Sequence, residues 1–133
     1  MKHLLSITLI LFLGSFSFSQ DSSRLELQAV HKQEIEIYKK DWWKRDWPKI
    51  RRKYKIDFDC AQCKSIALDL RVTVDEKGSV VDVKVINDKV HCLTGLKRQD
   101  LIAAMTETVR HWDFSENFYT SVFDFRLGLI VTC

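Results

Sequence analysis

Along this chain the hydrophobic period changes from that of a helix to that of a strand. Leu27, Val30, Ile35, Tyr38 and Trp42 recur near one face, while Glu34, Glu36, Lys39 and Lys40 fall largely elsewhere. That stripe predicts an amphipathic helix within residues 20–46, laid on a core. Pro48 breaks it and suits the first turn of a second, short helix, Pro48 to Tyr54. From Ile66 to Val74 the pattern alternates: Leu68, Leu70, Val72 and Val74 are separated by Asp69, Arg71 and Thr73, as in a half-buried strand. Asp75-Glu76-Lys77-Gly78 follows, with Gly78 able to take the positive φ that closes a hairpin loop. Ser79 to Ile86 reads as the returning strand, with Val81, Val83 and Val85 alternating against Asp82 and Lys84. Leu101, Met105, Val109 and Trp112 mark a helix from about Lys97 to Trp112. Tyr119 to Cys133 is a long alternating strand with Phe123, Phe125, Leu127, Leu129 and Val131 on one face.

The expected order is therefore helix, short helix, strand, strand, helix, strand, an α+β class. A strand, crossover helix and further strand in one sheet connect right-handedly. If the last strand lies beside the first, it runs antiparallel to it, giving a three-stranded antiparallel or mixed sheet packed on helices. One face would be covered by helices and the other wetter.

Length and composition narrow the classes. Lys2 and His3, an apolar run from Leu4 to Leu13, and small residues at Ser17 and Ser19 read as an export signal over residues 1–19, cleaved before Gln20. The segment Leu4 to Phe18 is shorter than the ~20 residues a bilayer-spanning helix needs. Cleavage leaves 114 residues, one small domain, which is expected to be free in an oxidising compartment read as a periplasm. Four glycines and this length exclude dinucleotide folds, kinases and barrel enzymes.

The residues from Trp47 to Cys133 resemble the C-terminal domain of TonB-type energy transducers. The likeness rests on Val72-Thr73-Val74-Asp75-Glu76-Lys77-Gly78, the returning Val80-Val81-Asp82-Val83-Lys84-Val85, the helix end Val109-Arg110-His111-Trp112-Asp113-Phe114, and the last strand. Trp47-Pro48 stands where that family commonly has Tyr-Pro. The long Pro-rich spacer of the transducers has no counterpart, since the chain holds one proline. The stretch from Pro48 to the first strand is also longer than the family's and carries two cysteines. The resemblance implies a non-catalytic module, residues 47–133, whose sheet edge pairs with an extended segment of an envelope protein, such as a TonB-dependent outer-membrane receptor, by strand addition. It places that surface on Val122, Phe123, Asp124, Phe125, Arg126, Leu127, Leu129 and Val131. The competing reading is a structural envelope protein whose edge is covered or used in a homodimer.

Cys60 and Cys63 form a C-x-x-C, and Cys92 and Cys133 follow the second and last strands. The expected topology brings all four to one end of the sheet. Structural disulfides linking the C-x-x-C pair to Cys92 and Cys133 fit an exported small domain. A four-thiolate zinc site and a redox-active pair are the alternatives. No metal or other cofactor is otherwise called for.

Nine basic residues crowd between Lys39 and Lys55, interleaved with Trp42, Trp43, Trp47 and Tyr54. Export argues against nucleic acid. Either the tryptophans pack while the cations are solvated, or Lys44, Arg45, Lys49, Arg51, Arg52 and Lys53 meet an anionic envelope surface. No catalytic constellation is legible: His31, His91 and His111 are not spaced against a nucleophile, and Asp57 and Asp59 read as solvated acids.

Overall fold

The computed structural model describes residues 25–57 and 63–130. The chain divides into two compact units, residues 1–34 and 35–133. In the first, residues 25–34 are helical, with Leu25 and Leu27 exposed. The buried stripe expected from the sequence thus begins at Ile35, not Leu27.

The second unit is α+β. It runs α1 (residues 35–45), α2 (Trp47–Tyr54), β1 (Ser65–Val74), β2 (Val80–Asp88), α3 (Gly95–Arg110), a short 3-10 turn (Glu116–Phe118) and β3 (Ser121–Ile130). The sheet order is β2-β1-β3, with β1 antiparallel to both neighbours. Alternation dictates which face of β1 is dry. Ile66, Leu68, Leu70, Val72 and Val74 are all buried, whereas Arg71 is exposed and Asp69 and Thr73 half-exposed on the other face. Each such aliphatic side chain contributes roughly 1.5–3 kcal/mol on burial.

The helices cover that dry face. Leu101, Met105 and Val109 recur at four-residue steps and are buried in the core that also holds Ile35 and Trp42 of α1. Trp42 is buried, and its Nε1 donates to Thr108 Oγ1 at 2.8 Å, so the indole's one polar atom is satisfied on α3. Beyond α3 the core turns aromatic. Trp112 stacks on Tyr38 and on Phe125, with ring centroids 5.6 Å apart in each case. Phe123 contacts Phe114 at 5.2 Å and Phe118 at 5.0 Å. These rings fasten the inward face of β3 to the helical layer.

Two close approaches lock the connections. Gly78 has φ +88° in the hairpin, where Asp75 Oδ1 accepts from the backbone of Lys77 and Ser79 at 2.9 Å each. Its carbonyl accepts from Phe114 N at 2.9 Å, so the chain after α3 lies against the turn. At the opposite end of the hairpin, Cys63 is bonded to Cys92, with Cα atoms 4.9 Å apart. This is one of the two bridges expected from the sequence, and it removes two of the four thiolates a zinc site would need. Cys60 and Cys133 lie outside the described residues.

The short α2 begins at Trp47, one residue before the expected start, with Pro48 in its first turn, and is capped by Lys55 in the left-handed region, φ 53°. Its basic residues have local work. Arg51 donates to the Ile56 carbonyl at 2.9 Å and pairs with Asp57 at 3.1 Å, Arg52 donates to the Pro48 carbonyl at 3.2 Å, and Lys53 lies 5.5 Å over the Tyr54 ring. Cations at a helix C-terminus also complement its dipole.

Candidate docking edge

The sheet has two outer strands, and they are built differently. Register between β1 and β2 shifts twice, between Asp69 and Leu70 and between Thr73 and Val74. The surplus residues are Ile86 and Val81, which are 49% and 57% exposed. The sequence alternation groups Val81 with Val83 and Val85, but of the three Val83 alone is buried; at the bulge Val81 is surplus, and Val80 takes the place opposite Val74. Such irregularities blunt a strand edge against further pairing.

β3 carries no such shift. Ten consecutive residues, Ser121 to Ile130, pair in register with Val74 down to Ser65. In an antiparallel strand the N–H and C=O groups of alternate residues point away from the neighbour, so a regular outer strand offers a regular row of donors and acceptors. Among the described residues no strand occupies the far side of β3.

Charge holds this strand in place. On the open face Arg71 forks onto Asp124, Nε to Oδ1 at 2.9 Å and Nη2 to Oδ2 at 3.0 Å. Arg126 forks onto Asp69 at 2.8 and 3.2 Å with polarity reversed. Both pairs join residues directly opposite in the ladder, so a one-residue slip would break both and bring the apolar set to the open face. The hydrogen bonds from Arg126 hold the Asp69 carboxyl below the usual aspartate range, although desolvation opposes this.

The residues that the resemblance puts at the edge divide by face. Leu127 is fully buried, and Phe123, Phe125 and Leu129 are half-buried on the helix side, so what they present outward is backbone. Asp124, Arg126 and Val122 are exposed on the open face, Val122 at 61%. Val131 lies outside the described residues.

Toward its end β3 meets α1. Gly128 has φ +117°, and a Cβ there would fall 2.0 Å from the Ile66 carbonyl oxygen, so only glycine permits β3 to approach β1 at this point. Just outside, Trp42 and Trp43 of α1 face Leu127, Gly128 and Leu129 across a cavity of about 280 Å³. Lys39, Lys40 and Gly128 also line this cavity, a part that the hydrophobic pattern does not mark for them. An isolated glycine inside an apolar strand was the available signal for a close backbone approach.

Lys44, Arg45, Lys49, Arg51, Arg52 and Lys53 are all exposed. Three of them, Arg51, Arg52 and Lys53, are engaged around α2 as described, which leaves Lys44 and Arg45 at the end of α1 and Lys49 in α2 as the more available cations. His111 pairs with Glu107 at 3.1 Å on the surface of α3. Asp57 is exposed, and Asp59 lies outside the described residues. Among the described residues no helix is long and apolar enough to cross a membrane, and no three His, Cys, Asp or Glu side chains are grouped to hold a metal ion.

Comparison of the chain with known family models, with curated proteins and with solved structures finds no match.

Proposed function

We propose that this protein is a non-catalytic, exported binding module that captures an extended segment of an envelope protein by adding it as a fourth strand beside β3. The asymmetry of the two sheet edges carries this reading: β2 is interrupted by two bulges, while β3 pairs with β1 without a register shift over its whole length. Backbone hydrogen bonds would supply the affinity, and the faces of β3 the selectivity. The charge forks to β1 support it further, because a template strand must keep its register when a partner arrives. The order of elements and the hairpin motif agree with the TonB C-terminal-like resemblance, in which a periplasmic domain binds a receptor segment in this way.

The test is backbone amide exchange on the full protein titrated with peptides from the N-terminal segments of outer-membrane receptors. Binding should slow exchange at alternate residues of Ser121–Ile130 and leave Val80–Asp88 unchanged. Protection confined to β2, or spread over α3, would overturn the proposal. A concentration-independent dimer in light scattering, with β3 already protected before peptide is added, would favour self-association through the same edge.

A further inference from the structure

The cavity between α1 and the end of β3 has a size, a lining and a charge that together specify an occupant. Its volume, about 280 Å³, falls just under the ~300–1,000 Å³ typical of small-molecule sites. It therefore suits one or two large side chains better than a cofactor-sized ligand. The walls from Trp42, Trp43, Leu127 and Leu129 are apolar, and the rest of the lining is Gly128 and three lysines of α1. Trp43 is 38% exposed and stacks on Trp47 with centroids 5.6 Å apart, which holds its ring as a firm wall.

The lysines give the sign. Lys39 is paired with Glu36 at 3.2 Å. Lys40 and Lys44 are exposed, and neither forms an ion pair with a carboxylate among the described residues. They stand four residues apart on one helix, where like charges repel and destabilise the helix. An anion held between them would turn that repulsion into attraction.

We propose that this cavity anchors a large apolar side chain of the docked segment, and that Lys40 and Lys44 bind carboxylates beside that anchor. The partner is thus an acidic extended peptide with an aromatic or large aliphatic residue at the end that lies over Leu127–Leu129. This inference rests on strand addition at β3, since it is the added strand that delivers its side chain under α1.

The test uses the full protein and acetylated, amidated peptides of about eight residues, long enough at ~3.3 Å per residue to follow the edge. Each alternates Thr and Val and carries Phe-Asp-Glu at one end, in N-terminal and C-terminal versions. Controls replace Phe by Ser, or the two acids by Lys. Affinity is read from tryptophan fluorescence, and pairing from amide protection in β3. One version should bind about tenfold or more tightly than its Ser control, a difference of roughly 1.4 kcal/mol. Lys40→Glu with Lys44→Glu, both on exposed positions, should remove the preference for acids and flatten the salt dependence. Trp43→Ala should weaken the Phe peptide and leave the Ser control unchanged. Equal affinity for all peptides with β3 protected would overturn the anchor and leave strand addition standing. Absence of β3 protection with every peptide would overturn both.

Discussion

Two glycines carry constraints that no other residue can meet. A Cβ on Gly78 would lie 2.3 Å from the Phe114 carbonyl oxygen, and one on Gly128 would lie 2.0 Å from that of Ile66. Both contacts are with backbone, and both φ angles are positive. Gly78→Ala and Gly128→Ala should each destabilise by about 2 kcal/mol or more, read as a lower urea midpoint. Asp69 sets a different condition. Its carboxyl is more acidic folded than unfolded because Arg126 holds the ionised form. The resulting stability is therefore complete above an ordinary aspartate pKa of about 3.9 and is lost as pH falls through the lower native value. Urea midpoints should decline on acidification below about pH 4, and Asp69→Asn should shed part of that decline. Gly78 was legible as a turn residue from its place after Asp-Glu-Lys. Its second constraint, the Phe114 backbone, was not, because that contact spans a separation no local pattern reports.

At the scale of elements, β3 is held on β1 by opposed pairs of reversed polarity. Arg71→Asp or Asp124→Arg alone should lower the melting temperature and sharpen amide exchange in β3, and the double exchange should restore most of the loss. On the other side of the strand, Leu127→Ala should cost about 2–5 kcal/mol, since the side chain is fully buried. The α+β class, the hairpin, α3 and the long last strand all followed from period-two and period-four spacing. The bulges of β2 did not. Val81 and Ile86 are as apolar as Val83 and Val85, so composition cannot mark which residue is surplus, and only pairing with β1 decides it. The cavity over Leu127–Leu129 was likewise hidden, because it depends on where α1 lies against a strand more than eighty residues later in the chain.

At the scale of the molecule, the hairpin is clasped at both ends, by the Phe114 backbone at its turn and by the Cys63–Cys92 bond at its mouth. That bond joins residues 29 apart. In a chain-entropy account, closing such a loop stabilises by roughly 3–4 kcal/mol. Cys63→Ser with Cys92→Ser should lose about that much in urea melts, with a smaller loss if residual structure persists in the unfolded chain. The asymmetry of the sheet margins bears on assembly as well. A ribbon with two receptive margins can stack copy upon copy into a fibre, but one with a single receptive margin runs out of partners after the first. Two copies meeting through β3 would form a closed pair related by a twofold axis, each presenting only its bulged margin to solvent. Growth stops there, so concentrating this protein should yield nothing larger than a dimer through its sheets.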